Sequence, residues 1–447
     1  MRINERDSMY GMISPVYAVA LVAYAVFCAT AYSFKLNLPL QIGIYGFQLL
    51  TAFVNPYLCL SGTLVSSLFA QSVFPGYLQI ILFVITAVSF ILSDYRMFTR
   101  FRHFPLFLII IVEVMAFSFL GVASNMITMM QMLLMVLLLF MMLNSPQHDM
   151  LSTVVMGYIC GGFSVTLYFL FSLVRGDQVV MFRRLSFDGN IKSVATVASI
   201  ALMFAVLSLL SGKPLFSNVG GVAIDIVMVV AFSVVVILTL AKGVLIGVVL
   251  GVAVYILFSP KTFRRLIRVI PIAVFSTAFI AVMMGSKMFV VQRLFEEDTN
   301  LNGRTTIWLY HFQQMEKKGL YRYLIGVGPG NIARIGELER YAHSTFLDFF
   351  FCYGLIGFVT MLYTQVRVFA RIIKCRSVAC AAMLVFAITM YLTHGGAFNQ
   401  TLFTLEVILI LLAEKEAADR MQSDDEEGDE DEAADVLEDA APVNAAS

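Results

Sequence analysis

Charge is what this sequence has least of. Only 13% of its 447 residues are charged, against roughly a quarter in soluble proteins. A water-soluble fold has no means of hiding so apolar a chain. Soluble enzyme, nucleic-acid binder and disordered scaffold are thereby excluded for the chain as a whole. Cysteine is sparse too. The six cysteines, Cys28, Cys59, Cys160, Cys352, Cys375 and Cys380, form no CxxC pair and sit in or beside apolar runs. They read as small buried hydrophobes, not as metal ligands or disulfide partners. Ser-His-Asp order, zinc-ligand spacing and DxD-like metal pairs are missing from the two long polar loops, 174–192 and about 286–343. No metal or cofactor is expected, and tryptophan occurs once, at Trp308.

What is present is hydrophobicity: 60% of residues, with a mean hydropathy of +0.85. The expected fold is all-α, a polytopic transmembrane helix bundle. The formal net charge of zero conceals an asymmetry. From Glu414 onward there are 14 acidic and 2 basic residues; subtracting from 30 and 30 leaves 16 acidic and 28 basic in residues 1–413, a net of +12. Two regions follow, a bundle over 1–414 and an acidic tail over 415–447, and the tail's composition predicts disorder.

Fourteen apolar runs qualify as spans: about 13–33, 39–55, 57–74, 76–93, 104–123, 125–143, 150–173, 193–211, 220–240, 243–259, 269–285, 344–366, 378–394 and 400–414. The second and third are divided by Asn55-Pro56, so the count is 12 to 14, with 14 favoured. The first run follows two arginines and lacks a cleavage site, so it reads as a retained span. Short loops holding Arg96, Arg100 and Arg102, then Lys261, Arg264, Arg265 and Arg268, then Arg367, Arg371, Lys374 and Arg376, fall on one side with both termini. By the positive-inside rule that side is the cytoplasm.

The opposite side holds two substantial loops, 174–192 and about 286–343. In the second, Arg304 to Lys318 reads as a helix, with Trp308, Phe312 and Met315 at i, i+4, i+7. Such a helix lies on the membrane surface or caps the bundle. GVGPGN (326–331) reads as a tight turn, and Ile335 to Tyr341 as a short second helix. Both loops are basic. Long loops are translocated whatever their charge, which accounts for residues such as Lys317 and Lys318. It does not account for Lys242, a cation between two apolar spans that is costly unless it meets an anion or water. A cluster of arginine and lysine at a membrane face suits a phosphate or pyrophosphate. His343, where the large loop enters a span, has a side chain able to accept a proton from a hydroxyl near neutral pH. The alternative is an interfacial histidine without a chemical role. Asp348 follows at i+5. Glu113, Asp225 and Glu406 are acids inside spans. Glu113 and Glu406 are candidates for a proton relay or for pairing with a base in the bundle, whereas Asp225, near a cytoplasmic end, is expected to reach water.

These features coincide in one stretch. NGRTTIWLYHFQQMEKKGLYRYLIGVGPGN followed by AHSTFLDFFFCYGLIGF resembles the O-antigen ligase and polysaccharide polymerase superfamily of bacterial membrane glycosyltransferases. The matching positions are Gly303, Arg304, Trp308, Gly326, Gly328, Gly330, His343, Gly354 and Gly357. RRLSFDGNIKSVATVA (183–198) fits through Arg184 and Asn190, and LTLAKGVLIGVVLGV (238–252) fits the family's Ser-Arg-Gly step. The resemblance covers about 183–366. Ala241-Lys242 replaces Ser-Arg, keeping charge and losing the fork. Ser344 replaces a common asparagine.

The resemblance implies transfer of a glycan from undecaprenyl pyrophosphate to a hydroxyl, outside the bacterial cytoplasmic membrane and without metal. His343 is the expected catalytic base, and Arg184, Lys242 and Arg304 the pyrophosphate ligands. Arg183, Asn190, Trp308, Asn331 and Asp348 are candidates for positioning the substrate. A polymerase of lipid-linked oligosaccharide repeats, supplying an exopolysaccharide or capsule, is favoured over a ligase that hands the finished glycan to a final acceptor. A lipid-linked oligosaccharide flippase is the rival from another class. Expected partners are the lipid-linked substrate, the glycan acceptor, membrane lipid, and a chain-length regulator or flippase of the same pathway; nucleic acid is not among them.

Overall fold

The computed structural model describes residues 13–74, 76–96, 126–144, 146–175, 180–181, 184–185, 191–213, 215, 221–239, 241–259, 304–328, 342–393 and 400–439. The fifth and eleventh candidate spans, Glu113, the helix expected at Ile335–Tyr341 and the loop 286–303 lie outside the described residues.

Apolar runs become helices. They are α1 (Pro15–Ser33), α2 (Asn37–Val54), α3 (Pro56–Val73), α4 (Gly76–Ser93), α5 (Met126–Asn144), α6 (Leu151–Val174), α7 (Ile191–Ser211), α8 (Gly221–Thr239) and α9 (Lys242–Phe258). Two polar helices follow, α10 (Arg304–Lys317) and α11 (Arg322–Ile325), and then α12 (Thr345–Lys374), α13 (Val378–Thr393) and α14 (Gln400–Asp439). The architecture is an all-α membrane helix bundle. Five segments are long and apolar enough to cross a membrane: Pro15–Ser33, His148–Val174, Ser193–Ser211, Gly221–Thr239 and Thr345–Lys374. Five shorter apolar helices accompany them among the described residues. One element departs from the all-helical expectation. Within 174–192, β1 (Val180–Met181) and β2 (Arg184–Leu185) pair antiparallel, Val180 opposite Leu185.

The Asn55-Pro56 step does separate two helices. Asn55 Oδ1 accepts hydrogen bonds from Tyr57 N at 2.8 Å and Leu58 N at 3.4 Å. Pro56 occupies the first helical position, where its missing N–H costs nothing. α3 and α6 then touch backbone to backbone at Gly157, where a Cβ would lie 2.8 Å from Ser61 Cα. Ser61 Oγ donates to Tyr57 O at 2.7 Å and to Thr153 O at 2.9 Å across that contact. Small residues and hydroxyls of this kind bind helices where lipid offers no hydrophobic drive. α7 is buried on nearly every side and anchors the larger core, and α1 to α3 with α6 form a second one. All six cysteines are buried thiols.

α14 crosses the boundary expected at 414 without a break. Glu414 pairs with Arg371 at 2.6 Å. One turn and a half further, Arg420 donates to the Cys375 carbonyl and, at 3.4 Å, to Arg376 O, holding the turn between α12 and α13. The alanine, glutamate and lysine of EKEAADR favour helix, so the apolar run ends before the helix does.

Candidate functional site

α12 is two helices. At Gly354 the backbone has φ 67° and ψ −157°, a region essentially reserved for glycine. The first piece, from Thr345, carries the segment with His343; the second, of about one membrane's length, runs on to Lys374. A broken helix leaves carbonyls without intrahelical donors. The glycine turn supplies the donors. Val327 N donates to Phe351 O and Gly328 N to Cys352 O, both at 2.9 Å. Gly326 has the same backbone habit, φ 75° and ψ −173°. The two glycines make the crossing: a Cβ on Gly326 would lie 2.3 Å from Cys352 O, and one on Gly354 would lie 2.3 Å from Leu324 O. Arg322 Nη1 closes the turn on Gly326 O at 3.2 Å. Val327 and Gly328 of the turn thus bond to the break in α12, and Gly326 packs against it.

Above the break the chain is held at one residue from both sides. Ala342 N donates to Asp348 Oδ1 at 3.0 Å. Ala342 O accepts from Trp308 Nε1 at 2.7 Å. Asp348 N in turn donates to Ser344 O at 2.9 Å. His343, in the middle of this grip, has φ 58°, a left-handed conformation that side-chain-bearing residues adopt at a cost. Strain persists where the surroundings over-determine it, and such places cluster at functional sites. Trp308 and Asp348, expected to position substrate, each bond to the residue preceding the histidine.

α10 turns its inner face to this corner. Arg304, Trp308, His311 and Met315 recur at i, i+4, i+7, i+11, with Arg304 and Trp308 half-buried. His311 is 2% exposed, its ring 4.8 Å from that of Phe351. Sequence reading missed it, because the apolar spacing was assigned through Phe312 and a lone histidine adds no apolar signal of its own. The inward spacing from Trp308 to Met315 brackets it.

Lys242 is the half-buried first residue of α9. Its helix lies against α13 along Gly243 and Gly251: a Cβ on Gly243 would meet Thr393 at 2.3 Å, and one on Gly251 would meet Ala382 O at 2.9 Å. At that end of α13, the Tyr391 ring lies 6.3 Å from that of Phe346 in the first turn of α12. The start of α9, the end of α13 and the start of α12 therefore share one end of the bundle, so Lys242 and His343 share it too. β2, bearing Arg184, packs against α8. The side chain of Arg184, and all of Arg183, Asn190 and Asn331, lie outside the described residues.

Two intramembrane acids have packing roles. Asp225 Oδ2 accepts from Ser208 Oγ at 2.6 Å and Leu215 N at 3.3 Å, closing the connection between α7 and α8. Glu406 Oε1 accepts from Gln365 Nε2 at 2.7 Å, joining α14 to α12.

The O-antigen ligase family model matches residues 227–362. That match supports the resemblance of this segment to the O-antigen ligase and polymerase superfamily. The superfamily match runs from within α8 to the second piece of α12. It takes in Lys242, Arg304, Trp308, Asn331, His343 and Asp348, and it leaves Arg183, Arg184 and Asn190 outside. No curated protein matches the chain. The match supports a membrane glycosyltransferase-type activity.

Proposed function

We propose that the protein polymerises oligosaccharide repeats carried on undecaprenyl pyrophosphate. His343 takes the proton of the acceptor hydroxyl, whose oxygen attacks the anomeric carbon of the donor sugar. The bond from that carbon to the pyrophosphate oxygen breaks, and the carrier pyrophosphate leaves with the electron pair. Arg184, Lys242 and Arg304 offset the charge that develops on it, so no metal is required. Asn190, Arg183 and Asn331 contact the sugars. Trp308 and Asp348 act one step back, by fixing the backbone of His343.

One observation carries this reading. A histidine within the family-matched segment is held in a strained conformation by two residues the same segment supplies. The proposed setting is a bacterial cytoplasmic membrane crossed 12 to 14 times, with both termini inside, the site outside, and 415–447 an acidic cytoplasmic tail.

Purified protein in proteoliposomes, given lipid-linked repeat, is expected to build a ladder of longer lipid-linked products. His343→Ala is expected to lower the rate by at least about a hundredfold, with unchanged yield of folded protein; a ladder at full rate refutes the assignment. Arg304→Lys keeps charge and loses the bidentate fork, and is expected to lose roughly tenfold or more in kcat/KM. The description of the matching family favours a second reading, a ligase. Carbohydrate gels separate the two. Loss of a polymerase leaves single repeats, whereas loss of a ligase strands long polymer on the carrier. A flippase would place the work on Glu406 and Glu113 and leave the 286–343 loop dispensable; it would build no ladder in the purified system.

A further inference from the structure

The element formed by α10 and α11 has two unlike sides. One packs on the first piece of α12, with the Phe312 ring 5.1 Å from that of Phe351. The other presents large apolar side chains to its surroundings. Leu320 is 76% exposed, and Tyr321 and Leu324 are also exposed. Beside them stand the exposed Lys317 and Lys318 and the half-buried Arg322, whose guanidinium lies 4.8 Å over the Tyr321 ring. Exposed apolar residues of this size interleaved with cations are unusual on a wetted surface and characteristic of a membrane interface.

Position says what covers them. The backbone of Leu324 and Ile325 lies directly against Gly354. From that point the second piece of α12 shows an outward apolar stripe, Leu355, Val359, Leu362 and Val366, at i, i+4, i+7, i+11. In a membrane bundle such a stripe faces lipid. Leu320, Tyr321 and Leu324, exposed like the stripe, belong to the segment that meets α12 at the break, and Lys317, Lys318 and Arg322 adjoin them in the chain.

We infer that the corner from Lys317 to Leu324 docks into the leaflet at the His343 end of the bundle, with Leu320, Tyr321 and Leu324 below the headgroups and the three cations on acidic glycerophospholipid phosphates. The inference rests on the membrane bundle alone and is independent of the glycosyltransferase reading. By fastening the glycine turn to the bilayer, it would hold the break in α12 at a fixed depth.

The test uses the full-length protein in nanodiscs, with a bimane fluorophore on Leu320→Cys or, as control, on the exposed Gln313→Cys; the parent, whose cysteines are buried, sets the labelling background. Brominated phosphatidylcholine and brominated phosphatidylglycerol are the quenchers. Bimane at 320 is expected to be quenched by brominated lipid, and bimane at 313 is not. Phosphatidylglycerol should quench more strongly than phosphatidylcholine. Lys317→Gln with Lys318→Gln should bring the two lipids together, since each lysine at an anionic surface favours the acidic lipid on the order of fivefold. Absence of quenching at 320 overturns the docking and assigns the patch to water, another segment or a second copy. Equal quenching by both lipids in the parent overturns the phosphate contact.

Discussion

Two helices of this protein are interrupted inside apolar sequence, and they are closed in opposite ways. Between α2 and α3 the chain caps itself: Asn55 accepts from the next two backbone amides and Pro56 starts the new helix. In α12 the carbonyls of Phe351 and Cys352, left without intrahelical donors, are met by amides of Val327 and Gly328, contributed by a turn outside the helix. A local cap needs one side chain. A remote cap makes the folding of one element a condition for the other. The break that carries a strained histidine at its head is the one closed remotely.

The contrast can be broken most forcefully at Gly354. Gly354→Ala forces a side chain into a glycine-only conformation, roughly 1–3 kcal/mol by itself, and into the Leu324 backbone. We expect loss of most monodisperse protein on size exclusion in detergent, or folded protein without activity; a fully active, stable variant would show that the crossing is not needed. Asp348→Ala removes the acceptor of a buried amide and is expected to cost roughly 1–3 kcal/mol, visible in thermal unfolding. It should also lower activity while His343 remains, because the histidine loses its left-handed conformation. Wild-type turnover would disconnect the grip on Ala342 from function. The smallest effect is expected at the local cap. Asn55→Ala should cost about 1 kcal/mol and leave turnover unchanged; an activity loss comparable to that of Asp348→Ala would erase the distinction between the two breaks.

The same contrast explains what could be read from sequence. Hydropathy fixed the helices because each apolar run must satisfy its own backbone in lipid. Asn-Pro marked the first break because cap and helix are neighbours in the chain. GVGPGN was legible as a turn, and Gly354 as part of a family pattern, yet nothing local joins them, since 28 positions separate Gly326 from Gly354. The roles of Trp308 and Asp348 were hidden likewise. A bond to a backbone carbonyl or amide leaves no mark on the partner's identity, and Ala342 carries none. The extent of α14 was missed for another reason: hydropathy ended at 414, whereas helix propensity and the contacts of Arg420 did not.

One detail of composition now has a practical meaning. The chain has a single tryptophan, and its indole nitrogen is bonded to the carbonyl immediately before His343. All tryptophan emission from this protein therefore originates at that bond. Unlabelled and in any bilayer, the molecule reports optically on its own histidine corner, so carrier binding, a broken grip or a displaced helix can each be followed by the colour and lifetime of one native fluorophore.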